Sequence, residues 1–248
     1  LGAPVWPEPR TVQSRIGVQL QSTSLFDKLT AYELLILFAR FYGRLDGAER
    51  AQRALELVGL TGKADAYAED MSGGQQQRLA IALALVHDPE IVFLDEPTTG
   101  LDPQSRRQLW ELIEAFKARG RTVMLTTHYM DEAERLCDRL AIVDHGKVIA
   151  EGTPPALIAK LGGEHIVEFE IPAGAGVDEA ALRALPGVQG YRVVAGATQI
   201  TVLDPAVSVP ALVNLLRDRG VAFSRLTTHH STLEDVFVNL TGRGLRDA

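Results

Sequence analysis

The segment Ile91-Val-Phe-Leu-Asp-Glu-Pro-Thr-Thr-Gly-Leu-Asp102 constrains this chain more than any other. Ile91 to Leu94 are continuously apolar, the pattern of a strand in a parallel sheet covered on both faces. The run ends on two adjacent carboxylates, Asp95 and Glu96, which places them at the carboxyl edge of a sheet, where open α/β sheets bind ligands. Asp102-Pro103 then opens a helix, with a carboxylate at the N-cap and proline at the first helical position. Leu109, Leu112, Ile113 and Phe116 give that helix one apolar stripe. A second apolar run, Thr122-Val-Met-Leu125, follows, so strand, helix and strand make a right-handed parallel crossover.

Side chains alternate along a strand, so Asp95 and Glu96 face different ways. Asp95 can then hold a Mg²⁺ ion through its water shell while Glu96 addresses a water beside a terminal phosphate. A lone Asp-Glu is equally a charged turn after a buried strand, and its context decides. That context is Met71-Ser-Gly-Gly-Gln-Gln-Gln-Arg78. Ser72 at an N-cap and two glycines lay bare backbone N–H groups at a helix N-terminus, whose dipole and free donors suit a phosphate. Taken alone, Ser-Gly-Gly is an ordinary helix cap. The helix it opens, Gln75 to His87, carries Leu79-Ala-Ile-Ala-Leu-Ala-Leu-Val86, apolar all round like a helix buried on every side, and Pro89 stops it.

The remaining chain divides by pattern. Residues 1–13 contain Pro4, Pro7 and Pro9, which precludes regular helix and reads as an extended linker or loop. A short apolar, Gln-rich element, Ile16-Gly-Val-Gln-Leu-Gln21, precedes two helices, Thr30 to Tyr42 and Gly47 to Val58, which form a helical hairpin. After Leu161, strands are expected at His165–Ile171, Gly190–Val194, Gln199–Leu203 and Val221–Leu226, with helices at Glu179–Leu185 and Val209–Arg219. That βαββαβ order is the order of a ferredoxin-like sandwich, closed here by a terminal helix from Thr232 to Leu240. Leu233, Val236, Phe237 and Leu240 share one face of this helix, which must be buried, first of all on its own sheet.

Composition excludes several classes. With 25 basic against 32 acidic residues the net charge is −7, and no basic footprint for nucleic acid is present. The one cysteine, Cys137, leaves no internal disulfide and suits a reducing compartment. No apolar stretch approaches the roughly 18–20 residues that span a bilayer. A cytosolic chain is expected.

Together these motifs closely resemble the ABC-transporter ATPases over about residues 14–155. Met71-Ser72-Gly73-Gly74-Gln75 is similar to the family's signature motif, with Met in place of the usual Leu. The resemblance implies that Asp95 is the Walker B aspartate and Glu96 the catalytic glutamate. It likewise makes Leu101-Asp102 the D-loop that crosses to a second subunit, and His128, in Leu125-Thr-Thr-His128, the switch histidine. Gln21 fits the Q-loop glutamine that senses Mg²⁺ and the γ-phosphate, and keeps the family spacing from Ile16-Gly17 better than Gln19 does. Leu226-Thr-Thr-His229 repeats the histidine context, but His128 follows the strand beside the carboxylates, so His229 is expected in a loop; His229-His230 also lacks metal-ligand spacing.

The implied fold class is α/β: a partial P-loop NTPase domain of ABC type over residues 1–160, with a helical subdomain at about 28–88. A small α+β ferredoxin-like accessory domain follows at 161–248. The implied cofactors are ATP and Mg²⁺. The implied partners are a second ATPase subunit, as a homodimer, and a separate membrane permease, which puts the chain on the cytoplasmic side of the cell membrane as a peripheral protein. Ser231-Thr-Leu-Glu-Asp-Val-Phe-Val-Asn-Leu-Thr-Gly242 resembles the tail of daunorubicin-resistance-type exporters and of related polysaccharide and multidrug exporters. No Gly-x4-Gly-Lys-Ser/Thr phosphate loop occurs; Gly59-Leu-Thr-Gly62-Lys63 fails at both ends, with Leu57 and Ala64. In the family that loop precedes the Q-loop, so the protein is expected to extend upstream of Leu1, and residues 1–248 alone are expected to be inactive. The rival readings are an ABC-type ATPase outside transport and, were the missing loop natural, a non-hydrolysing regulatory module.

Overall fold

The computed structural model describes residues 9–21, 25–26, 28–172, 177–194 and 196–242. The chain divides into two compact units, Leu1–His128 and Tyr129–Ala248. The first contains α1 (Pro9–Gln13), β1 (Ile16–Gln19), the hairpin α2 (Ala31–Phe41) and α3 (Gly47–Leu57), α4 (Gly73–Leu85), β2 (Ile91–Asp95), α5 (Pro103–Ala118) and β3 (Thr122–Thr126). The strands form one parallel sheet in the order β1-β2-β3, with Gln19 opposite Leu94 and Asp95 opposite Thr126.

Most expected elements of this unit are present, and two expectations are corrected. Residues 9–13 form a helical turn instead of extended chain, because Pro9 takes the first helical position, where its missing N–H is not needed. The expected linker at residues 1–8 lies outside the described residues. Among the described residues the sheet, expected to be covered on both faces, is covered on one. Val92 and Leu94 are buried, and with Val123 they meet Ile81 and Leu85 of α4 and Leu112, Ile113 and Phe116 of α5. On the other face Val18, Phe93 and Met124 form a cross-strand row and are 49%, 36% and 59% exposed.

The second unit begins with α6 (Met130–Leu136), the hairpin β4 (Leu140–Asp144) and β5 (Lys147–Gly152), and α7 (Pro154–Ala159). None of these was singled out from sequence. The hairpin had a readable signal: His145-Gly146 makes its two-residue turn with φ of 47° and 73°, the backbone that a type I′ turn needs at both central residues. Then follow β6 (His165–Glu170), α8 (Glu179–Arg183), β7 (Val188–Val194), β8 (Ala197–Val202), α9 (Pro205–Asp218), β9 (Arg225–His230) and α10 (Leu233–Thr241). The four strands pair antiparallel in the order β7-β8-β6-β9, the arrangement of the expected ferredoxin-like sandwich. Val167, Phe169, Ile200 and Val202 pack under Leu182 of α8 and Leu212 and Leu216 of α9.

The last strand is displaced from its expected place. The Val221 amide donates to Leu216 O and the Gly220 amide to Arg217 O, so Val221 completes the end of α9 and the strand cannot start there. It runs instead over Arg225–His230, which puts His229 in a strand and not in a loop. The terminal helix also corrects the expectation for its apolar face. Leu233, Val236 and Phe237 are buried with Ala133, Ile142 and Leu157, from α6, the β4–β5 hairpin and α7, and not on the ferredoxin-like sheet. The compact units part at residue 128/129, inside the span 1–160 expected for the first domain.

Candidate functional site

The parallel register brings the ends of three strands to one edge: Gln21 lies two residues past Gln19, Glu96 follows Asp95, and His128 lies two residues past Thr126. Asp95 is tied across the sheet by the Thr126 hydroxyl, which donates to Asp95 Oδ1. Glu96 has a φ of 47°, left-handed backbone that a β-carbon makes costly by about 1–3 kcal/mol. Its amide donates to Thr126 O at 3.1 Å, which holds that conformation against β3. The Glu96 carboxylate then folds over the edge, where Oε2 accepts from Thr99 Oγ1 at 3.0 Å and sits 2.7 Å from His128 Nδ1. Glu96 is mostly shielded, its side chain 19% exposed, while that of His128 is 54% exposed. A pair of this kind has one member fixed and one within reach of a ligand. With Glu96 ionised, the contact requires the proton on Nδ1, since a carboxylate can only accept.

Ser72 caps α4 in a capping box: the Gln75 amide donates to Ser72 Oγ at 3.4 Å and the Ser72 amide to Gln75 Oε1 at 3.1 Å. The amides of Gly73 and Gly74, in the first turn, have no acceptor within the helix. The two glycines differ in surroundings. A β-carbon on Gly74 would come 2.8 Å from Ser105 Oγ, whereas one on Gly73 would meet nothing within 4 Å. Gly74 thus admits the start of α5 against the cap of α4. Asp102 caps α5, accepting from the amides of Gln104 and Ser105 at 2.9 and 3.0 Å and from Ser105 Oγ at 2.6 Å. These bonds, that of the Ser105 hydroxyl foremost, hold its carboxyl below the usual range.

The structure therefore brings Asp95, Glu96 and His128 into one bonded cluster. Ser72, Gly73, Gly74 and Gln75 are not among the residues of that cluster; farther along α4, Gln77 Nε2 donates to Pro97 O, just past Glu96, at 2.8 Å. Gln21 is exposed at the same edge, while Gln19 is buried, with its amide donating to Leu20 O at 2.5 Å and its Oε1 buried without a partner. Met71, in the place of the usual Leu, is buried at 6% exposure. Sequence reasoning passed over Thr126, Thr99 and Gln77, although each lies inside a quoted motif; their signal was a hydroxyl or amide within bonding reach of a carboxylate turn.

The sequence profile of the family described as ABC transporter matches residues 4–99. Nod factor export ATP-binding protein I of Burkholderia orbicola (strain AU 1054) is 42% identical over 250 residues, covering 99% of this chain and 79% of its own length. The protein of the same name from Sinorhizobium fredii (strain NBRC 101917 / NGR234) is 41% identical, with 100% and 70% covered. Among solved structures, an ATP-binding subunit of an ABC transporter superposes with a TM-score of 0.57 at 31% identity, over 65% of this chain and 68% of that one. An ATP-binding cassette of an ABC transporter gives 0.53 at 26% identity, over 59% and 64%.

Proposed function

The chain belongs to the ABC transporter ATP-binding family, whose members are ATPases coupled to transport, and we propose that it hydrolyses ATP to power export of a drug-like or lipid- or polysaccharide-like molecule through a separate permease. Relatives named for Nod factor export support the direction of transport. Such subunits generally dimerise and pair with a membrane permease. Among the described residues no helix is long and apolar enough to cross a membrane; the peripheral place on the cytoplasmic side in this reading follows from pairing with a separate permease. Residues 1–160 carry the ATPase role in this reading and residues 161–248 an accessory, assembly-supporting one.

The observation that carries the proposal is the Glu96–His128 contact at the carboxyl edge of a parallel sheet. Glu96 acts as general base, taking a proton from the water that attacks the γ-phosphate. His128, on its exposed side, contacts that phosphate. Ser72, Gly73, Gly74 and Gln75 receive the phosphates of the nucleotide held mainly by a second subunit, where the amides of the first turn of α4 suit an anion. Asp102 lies at the crossing between subunits. Asp95 and Gln21 are hard oxygen donors at the right edge for Mg²⁺, and Asp95 spends one oxygen on Thr126. When bound, Mg²⁺ neutralises charge on the phosphates. The test uses the chain extended at its N-terminus by a phosphate-binding loop. Glu96→Gln is expected to trap ATP-bound dimers and slow turnover by roughly 10²–10⁴-fold; near-normal turnover overturns the role.

A further inference from the structure

The turn after the carboxylates is built to bring one hydroxyl back over the base. The Thr99 amide donates to Glu96 O at 3.2 Å, closing a four-residue turn with Pro97 at its second position. Pro97 and Thr98 are buried, Thr98 completely, so the middle of the turn is anchored. Gln77 of α4 braces it from outside through Pro97 O. Thr99 itself is exposed, so burial of its side chain does not account for its place. Its Oγ1 donates to Glu96 Oε2 at 3.0 Å, the same oxygen that faces His128 Nδ1.

We propose that Thr99 is a positioning residue for the Glu96 carboxylate. By occupying Oε2 together with His128, it fixes the side chain and reserves Oε1 for the proton of the attacking water. This rests on Glu96 being the general base. A carboxylate with two donors on one oxygen has one preferred rotation; with a single donor it can turn either oxygen to the water and loses orientation, which is what a general base contributes. A hydrogen bond to a charged group is strong enough that its loss in the transition state reads as about a tenfold change in rate.

The experiment is a double-mutant cycle in the extended, permease-associated protein, with steady-state ATPase kinetics and thermal unfolding of each variant. Thr99→Ala is expected to lower kcat about tenfold, with KM within about twofold and the midpoint of unfolding nearly unchanged. Thr99→Ser, which keeps the hydroxyl, should restore kcat to within about twofold. In a Glu96→Gln background, Thr99→Ala should have almost no further effect, because the function through which it acts is already gone. A full, additive loss in that background, or Thr99→Ser as slow as Thr99→Ala, overturns the proposal. If Glu96→Gln itself turns over normally, the assignment of the base fails before that of Thr99 is reached.

Discussion

Two polar clusters in this chain use similar residues to opposite ends. At the carboxyl edge of the parallel sheet, Asp95, Glu96, Thr126, Thr99 and His128 bond to one another at strand ends, and His128 remains largely exposed. On the ferredoxin-like sheet, Arg192, Gln199, Glu168, Asp235 and His229 form a chain of comparable length. Arg192 Nε donates to Gln199 Oε1 and Gln199 Nε2 to Glu168 Oε2, both at 2.6 Å, and Arg192 Nη2 meets Asp235 Oδ1 at 2.6 Å. Asp235 also accepts from the Thr232 amide and hydroxyl at 3.0 and 2.9 Å, so one carboxylate caps α10 and clasps it to the sheet. The Arg192 and Asp235 side chains at its centre are shielded, 15% and 9% exposed, while His229 at its rim is 42% exposed. Where the centre is a shielded Arg–carboxylate pair that also caps a helix, the cluster holds structure; where the centre is a carboxylate and an exposed imidazole at strand ends, the cluster can exchange a partner for a ligand.

The contrast can be broken most forcefully at the two carboxylates. Glu96→Gln should cost turnover by roughly 10²–10⁴-fold, about 3–5 kcal/mol of barrier, and leave the unfolding midpoint where it was. Asp235→Ala should do the reverse. It leaves Arg192 buried without its charge partner and removes the inner half of a capping box, which should lower stability by about 3 kcal/mol while sparing the intrinsic catalytic step. Urea unfolding and single-turnover hydrolysis on both variants decide it. Should Asp235→Ala slow chemistry as much as Glu96→Gln does, the two clusters are not separate in role.

A smaller effect separates the two glycines of the signature cap. Gly74→Ala forces a β-carbon to 2.8 Å from Ser105 Oγ, and shifting that hydroxyl breaks its 2.6 Å bond to Asp102. Loss of part of an N-cap should outweigh the helix propensity gained and cost about 1 kcal/mol. Gly73→Ala has open space and should be neutral or stabilising by about 0.5 kcal/mol. Equal urea midpoints for the two would show that the close approach of α4 and α5 carries no energy.

The same contrast explains what could be read from sequence. The strand β2, the helix α5 and the carboxylate pair were legible because continuous apolar residues, an Asp-Pro cap and a turn are local signals. Thr99 and Thr126 were not singled out, since their importance arises only when the turn closes and when β3 pairs with β2. Gly73 and Gly74 look alike in sequence and differ only because Ser105 comes from an element thirty-odd residues on in chain order, a distance of the kind that local patterns cannot carry. The placement of α10 was missed for a related reason. Its stripe shows that Leu233, Val236 and Phe237 must be covered, but the cover, Ala133, Ile142 and Leu157, belongs to elements with short and weakly periodic sequences. The shifted β9 was hidden by a backbone bond, from the Val221 amide to Leu216 O, which side-chain pattern does not report.

The smallest effect tests a third polar group that is neither fully satisfied nor exposed. His87, just beyond α4, is completely buried and stacks on Tyr42 with ring centroids 3.6 Å apart and planes 6° from parallel. Its Nε2 bonds Ile16 O at 2.9 Å, while Nδ1 is buried without a partner, so the ring is held as a neutral donor. Burial foremost, together with the nearby Arg44 and Arg50 guanidinium groups, pushes its pKa down, against the opposing pull of the Ile16 carbonyl and Asp88. The sign follows directly. A base whose folded pKa lies below its unfolded value of 6.5 binds fewer protons when folded, so its contribution to stability is whole above pH 6.5 and declines as pH falls from there toward the folded pKa. His87→Phe keeps a ring against Tyr42 and removes the titration. It should lower stability by a constant amount for the lost bond to Ile16 O, and it should flatten the fall between about pH 7 and pH 5. Urea midpoints of both proteins across that range give the answer: parallel curves would mean that the acid sensitivity of this unit comes from elsewhere, and converging curves would mean that the buried, half-satisfied imidazole carries it.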